Sequence, residues 1–145
     1  MRILPPIAAL SAMVICLVVS VGLAQEPKSS SELFSVCGKG QRITCVVDGD
    51  TFWLRGEKVR IADIDTPELS PPRCERERKR GLAAKQRLLD ILNSGPLSFK
   101  VGARDEDRFG RKLRIVYRDR RSVGDMLVAE GLARKWEGSR RSWCE

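Results

Sequence analysis

Asp48-Gly49-Asp50-Thr51-Phe52-Trp53-Leu54-Arg55-Gly56-Glu57-Lys58-Val59-Arg60-Ile61-Ala62-Asp63-Ile64 sets the topology of this chain. Thr51 to Leu54 is a run of β-formers, Arg55-Gly56-Glu57 is a turn, and Lys58 to Ile64 is a second extended run. Upstream, Ile43, Cys45 and Val47 alternate with Arg42, Thr44 and Val46, which adds a half-buried strand from Gln41 to Val47, closed by the Asp48-Gly49 turn. Strands joined by tight turns in this way form a β-meander.

Downstream, Pro67, Pro71 and Pro72 impose a loop. The segment from Cys74 to Leu92 then has helical composition, with Ala84, Leu88, Ile91 and Leu92 on one apolar stripe. Its arginine-rich start, Arg73 to Arg80, reads equally as a solvated face with i,i+3 and i,i+4 pairs and as a phosphate-binding ridge. Asn93-Ser94-Gly95-Pro96 stops the helix, and Leu97 to Val101 is a fourth strand. Asp105 to Gly110 is a polar turn with Gly110 at positive φ. Arg111 to Tyr117 is a fifth strand, with Leu113, Ile115 and Tyr117 alternating against Lys112, Arg114 and Val116, and Val123 to Glu130 is a short helix ended by Gly131. The expected fold is therefore α+β and mainly β: a five-stranded OB-fold barrel with one helix inserted after strand three and a second after strand five.

The N-terminus carries a targeting pattern. Met1-Arg2 is a short positive start, Ile3 to Gly22 is apolar, and Gly22-Leu23-Ala24 supplies small residues for cleavage. The expectation is export to the periplasm or medium, with 1–24 a signal peptide, 25–36 a flexible leader and 37–145 the folded domain, a monomer. The alternative for 1–24 is an uncleaved anchor, the only arrangement that gives the chain a membrane partner. Removing 1–24 takes away one arginine and no acid, so the net charge falls only from +8 to +7. Such a basic chain suits polyanions, nucleic acid above all, because releasing condensed counterions drives their association.

Once Cys16 leaves with the signal, Cys37, Cys45, Cys74 and Cys144 remain. An even number in an exported chain points to two disulfides, with three connectivities open. Cys37 with Cys45 around Gly38-Lys39-Gly40, and Cys74 with Cys144, is the preferred set. With no histidine in the chain and no zinc-like spacing, zinc, copper and haem have little to bind to.

Carboxylates are the chemistry that remains. Asp50 and Asp65, with the Thr66 carbonyl, are hard oxygen donors suited to Ca²⁺. Glu68 follows the rigid Pro67, and Arg60 and Arg111 come from separate strands, two guanidinium forks suited to phosphoryl oxygens. Asp-Gly is also a common hairpin turn, and Asp107 to Arg111 reads equally as a charged turn. A strict two-residue period puts Arg60 and Asp65 on opposite faces, so a shared site requires a bend between them.

From Gln41 to Trp136 the chain resembles the staphylococcal nuclease family, the thermonucleases. The blocks that carry the resemblance are Asp48-Gly49-Asp50-Thr51, then Val59-Arg60-Ile61 with Ile64-Asp65-Thr66-Pro67-Glu68, then Asp107-Arg108-Phe109-Gly110-Arg111, then Leu127-Val128-Ala129-Glu130-Gly131-Leu132-Ala133. The resemblance implies an OB barrel and Ca²⁺-dependent hydrolysis of single- or double-stranded DNA and RNA. It implies Asp50, Asp65 and Thr66 as metal ligands, Asp48 in the outer shell, Glu68 as activator of water, and Arg60 and Arg111 as the phosphate clamp, leaving 3′-phosphate ends. Phe109 stands where the family often has tyrosine, with Arg108 beside it to bind substrate by charge; Trp136 and Trp143 are candidates for stacking on a base and equally for core packing or a surface role. A catalytically silent OB module that binds nucleic acid is the alternative.

Overall fold

The computed structural model describes residues 32–145, so the targeting segment 1–24 lies outside the described residues. The arrangement is α+β and mainly β, as expected. A mixed sheet runs in the order β1-β2-β3-β4-β7-β6, with β8 also paired to β7. Its members are β1 (Ser35–Val36), β2 (Cys45–Val46), β3 (Thr51–Leu54), β4 (Glu57–Ile61), β6 (Leu97–Glu106), β7 (Lys112–Arg118) and β8 (Arg121–Ser122). A separate ribbon joins β5 (Ile64–Asp65) to β9 (Arg134–Lys135). Helix α1 (Glu75–Asn93) follows β5 and helix α2 (Val123–Ala129) follows β8.

The meander forms as expected, with β2, β3 and β4 antiparallel and Thr51 opposite Arg60. Strand β4 then pairs with β7 in parallel, Arg60 against Leu113, so the chain between them must cross over and does so through α1 and β6. Ala84, Leu88, Ile91 and Leu92 of α1 are all buried, joining Phe52, Val59, Ile61, Val116 and Leu127 in one core.

The sequence reading needs correcting in five places, one being that the strand expected at Leu97 to Val101 runs on as β6 to Glu106, into the expected Asp105 to Gly110 turn. The expected strand Lys58 to Ile64 is two: β4 ends at Ile61, Ala62-Asp63 turns, and β5 leaves for the ribbon. The first helix consequently follows a fifth strand rather than a third. In β7 the fully buried residue is Val116, not its neighbours Ile115 and Tyr117; it faces Phe99 across the sheet, while Lys112 and Arg114 on the same parity reach out to Asp105. In β2 both Cys45 and Val46 are buried and Ile43 is exposed, because the strand is too short to alternate. Phe34 to Val36 of the expected leader belong to the fold: Phe34 is in the core, held by Asn93 at the end of α1 through bonds of 2.7 and 2.9 Å, and β1 adds to the sheet edge. Of the open connectivities, the structure forms Cys37–Cys45 and Cys74–Cys144.

Candidate active site

The bend that the sequence could only require lies at Ala62-Asp63. Ala62 N–H still donates to Arg114 O at 2.9 Å, and Asp63 O accepts from Trp136 N–H at 2.9 Å, so one bond ties the turn to each sheet as the backbone passes between them. A Cβ on Gly124 would lie 2.9 Å from Asp63 Oδ1 and from Ile64 Cγ2, so only glycine lets α2 press this close against the turn. Arg60 and Asp65 therefore meet.

The carboxylate turn is held in a similar way. Val47 and Asp48 N–H both donate to Thr51 O, at 2.9 and 3.2 Å, and Asp48 Oδ1 accepts from Asp50 N–H at 3.3 Å. Gly49 is required by close approach: a Cβ there would sit 2.7 Å from Ala84 Cβ and 3.0 Å from Thr66 Cβ. The turn is thereby wedged between α1 and the buried Thr66.

At the centre is the Arg60 guanidinium. Nη1 donates to Ile61 O at 3.2 Å; Nη2 donates to Ile64 O at 3.2 Å and to Asp50 Oδ2 at 3.4 Å, and lies 3.9 Å from Asp65 Oδ1. Thr51 Oγ1 donates to Asp50 Oδ1 at 2.8 Å, and Trp143 Nε1 to Asp65 Oδ2 at 3.4 Å. Asp65 Oδ1 is buried and accepts no hydrogen bond. Burial pushes the Asp48 carboxyl up to about 7, helped by the Asp50 carboxylate beside it. Burial also raises Asp65, with Asp50 adding to it and Arg140, the Trp143 bond and Arg60 opposing it. Acids that resist ionisation are those gaining most from an added cation.

Glu68 lies at the edge of this cluster. Its Oε1 accepts from Leu69 and Ser70 N–H at 3.2 and 3.4 Å, while Oε2 pairs with Arg140 Nη1. Its own N–H donates to Glu77 Oε1 at 3.3 Å, and Glu77 is fully buried at the start of α1. Across a cleft of about 820 Å³ stands Arg111, whose Nε donates to Asp107 Oδ2 at 2.7 Å; the cleft wall also carries Lys58, Arg104 and Arg108. Asp107 Oδ1 additionally accepts the N–H groups of Phe109 and Arg111 at 2.9 and 3.1 Å. Gly110, at φ +72°, closes the turn as expected.

Asp50, Arg60, Asp65 and Glu68 are thus brought together, and Arg111 faces them without touching their carboxylates. Arg108 and Phe109 form the rim: Phe109 is 67 % exposed, with the Arg108 and Arg111 guanidinium carbons 4.7 and 5.4 Å from its ring centre. Trp136 lines the cleft, its ring centre 5.1 Å from the Arg60 guanidinium carbon. Trp143 does not line it; it is buried and bonded to Asp65, with Arg134 stacked 3.8 Å above it. Sequence reasoning missed Arg140 and Glu77. Arg140 was signalled by the preferred Cys74–Cys144 pairing, which forces residues 136–143 back over the loop after Asp65. Glu77 was signalled by its place three residues after Cys74, the spacing of a capping box.

The donor set suits a hard cation. Asp50 Oδ2 and Asp65 Oδ1 lie either side of Arg60 Nη2, at 3.4 and 3.9 Å, and Asp65 Oδ1, which accepts no hydrogen bond, is a buried acceptor of the kind a cation satisfies. Among the described residues no group of three carboxylate or cysteine side chains gathers as a metal cage. Backbone oxygen and water would have to complete the shell.

Buried carboxylates beside an arginine thus open on a cleft lined by cationic side chains. The chain belongs to the staphylococcal nuclease homologue family, whose model matches residues 58–143, and whose domain is an OB fold. It is 39% identical over 94 residues to endonuclease YncB of Bacillus subtilis (strain 168), covering 61% of this chain and 44% of that protein. It is also 39% identical over 94 residues to the SPbeta prophage-derived endonuclease YokF of the same organism, covering 61% and 31%. Against the thermonuclease of Staphylococcus hyicus, identity is 26% over 112 residues, covering 74% and 66%. The chain spans less than two thirds of the length of each of these relatives.

Proposed function

We propose that this chain is an exported, Ca²⁺-dependent nuclease that hydrolyses the phosphodiester bonds of DNA and RNA and leaves 3′-phosphate ends. The observation that carries the reading is the placement of Arg60 between Asp50 and Asp65, with Glu68 beside them and Arg111 across the cleft. Export rests on the charge and apolar pattern of residues 1–24.

Asp50, Asp65 and the Thr66 carbonyl would hold the cation, with Asp48 behind them. When bound, it supplies positive charge beside the scissile phosphate and makes a nearby water more acidic. The protein's own residues do the rest. Glu68 has one carboxylate oxygen fixed by backbone N–H groups and the other by Arg140, so its orientation is set before substrate arrives. Its carboxylate takes the proton of the attacking water as the new P–O bond forms. Arg60 and Arg111 donate to the non-bridging oxygens, where charge builds up in the five-coordinate transition state. The P–O5′ bond breaks in line, the 5′-oxygen collects a proton, and the phosphate stays on the 3′-oxygen. Phe109 and Trp136 give the flanking bases apolar surface.

The test is the purified chain with end-labelled single-stranded DNA, in Ca²⁺ and in chelator. Fragments carrying 3′-phosphates in Ca²⁺ alone support the proposal. Intact but retarded strands in both conditions would replace it with a silent binding module.

A further inference from the structure

Residues 134–144 cross the open side of the site and are fixed at both ends. At one end β9 pairs with β5 and Trp136 N–H donates to Asp63 O at 2.9 Å. At the other, Trp143 Nε1 donates to Asp65 Oδ2, Arg134 Nη1 donates to Ser142 O at 2.9 Å, and Cys144 is bonded to Cys74 just before α1. This strap carries Arg140 over the carboxylates. Nη1 pairs with Glu68 Oε2, and Nε lies 3.5 Å from Asp65 Oδ1. The Arg140 side chain is 35% exposed against 6% for Arg60, so of the two arginines touching these acids, both of which line the cleft, it is the more open.

We propose that Arg140 is a third phosphate-binding arginine of this site, supplied by the strap and lying outside the motifs that carry the family resemblance. The inference rests on the reading of the cleft as a phosphodiester site. A guanidinium has more N–H groups than Glu68 and Asp65 engage, and its planar fork matches phosphate oxygens. Arg140 lines the cleft together with Lys58, Arg104, Arg108 and Arg111, so those left over are available there. A strand entering this cleft meets Arg140 beside Glu68, with Arg111 on the same lining. Its pair with Glu68 and the contact with Asp65 keep the guanidinium in place before substrate binds, so little side-chain freedom remains to be lost on binding.

Counting phosphate contacts provides a test that does not depend on cleavage. The affinity of the full chain for a fluorescein-labelled oligothymidylate is measured by anisotropy in chelator over a range of salt concentrations. Each phosphate contact on a single strand contributes about 0.7 to the slope of log K against log salt. Arg140→Ala is expected to reduce the slope by about 0.7 and Arg140→Lys to retain it. Arg141→Ala, whose guanidinium pairs with Glu137 at 3.2 Å away from the cleft lining, is expected to leave it unchanged. A wild-type slope in Arg140→Ala, or an equal loss in Arg141→Ala, overturns the proposal. If wild type shows the Arg140-dependent slope yet leaves the strand intact in Ca²⁺ as well as in chelator, the nuclease reading fails and this inference stands. If wild type cleaves and Arg140→Ala keeps its slope, the reverse holds.

Discussion

Glu77 shows how far the loop carrying Glu68 depends on one buried side chain. Its carboxylate is fully buried, with Oε2 accepting from Arg73 N–H at 2.6 Å and Oε1 from Glu68 N–H at 3.3 Å. The Arg73 guanidinium is 3.7 Å away and half exposed, so water shares in balancing the charge. Glu77→Ala removes both acceptors and leaves two backbone donors unpaired, each costing about 1 to 3 kcal/mol. The expected loss is about 3 kcal/mol, seen as a lower urea midpoint with unchanged m-value. Glu77→Gln keeps the shape and one acceptor oxygen, so about 1 kcal/mol is expected. Because the Glu68 N–H is one of the released donors, single-turnover cleavage by Glu77→Ala should also fall, on the order of 100-fold for an ångström of misplacement. Urea titration followed by circular dichroism, beside quenched-flow cleavage, measures both. A loss below about 1 kcal/mol in Glu77→Ala with unchanged cleavage would refute the reasoning; equal losses in the two variants would show that charge, not the pair of hydrogen bonds, matters.

Two further outcomes follow from the carboxylate turn. Gly49→Ala puts a methyl 2.7 Å from Ala84 Cβ, so one side must shift; overpacking of this kind costs about 1 to 3 kcal/mol, and both thermal stability and metal affinity by calorimetry should fall together. Asp48, raised from 3.8 to about 7 in the folded chain, holds its proton more tightly folded than unfolded. Metal-free stability should therefore be highest below about pH 4 for this group and decline as pH rises through 7, whereas Asp105 and Glu130, whose carboxyls are lowered by bonds from Lys112 and Arg87, lose their contribution only in acid. Asp48→Asn should flatten the decline between about pH 5 and 8 in melts with chelator; an unchanged slope would contradict the assignment.

The meander, the apolar stripe of α1 and the positions of both helices were legible because each rests on local periodicity and turn chemistry. The break between β4 and β5 was not, because Ile61-Ala62-Asp63-Ile64 is a plausible strand until Trp136 and β9 compete for its backbone from seventy residues away. The same long-range pairing hid Arg140 and turned Trp143 from a stacking candidate into a buried donor for Asp65. Val116 defeated the alternation because Lys112 and Arg114 occupy the same face, with their charged ends carried outward to Asp105. Asp50, Asp65, Glu68, Arg60 and Arg111 were legible as residue types, and the four motif blocks tied them together. What those motifs left open was the bend, which Gly124 and the β5–β9 ribbon supply.

The claim that Glu68 moves the proton of the attacking water is tested most directly by Glu68→Gln in single turnover with Ca²⁺ and saturating single-stranded DNA. The glutamine can accept the same Leu69 and Ser70 N–H bonds but cannot take up the proton. A positioned general base contributes roughly 100- to 10,000-fold, so the cleavage rate should drop by that factor while DNA affinity in chelator stays within about two-fold. A rate close to wild type would contradict the account.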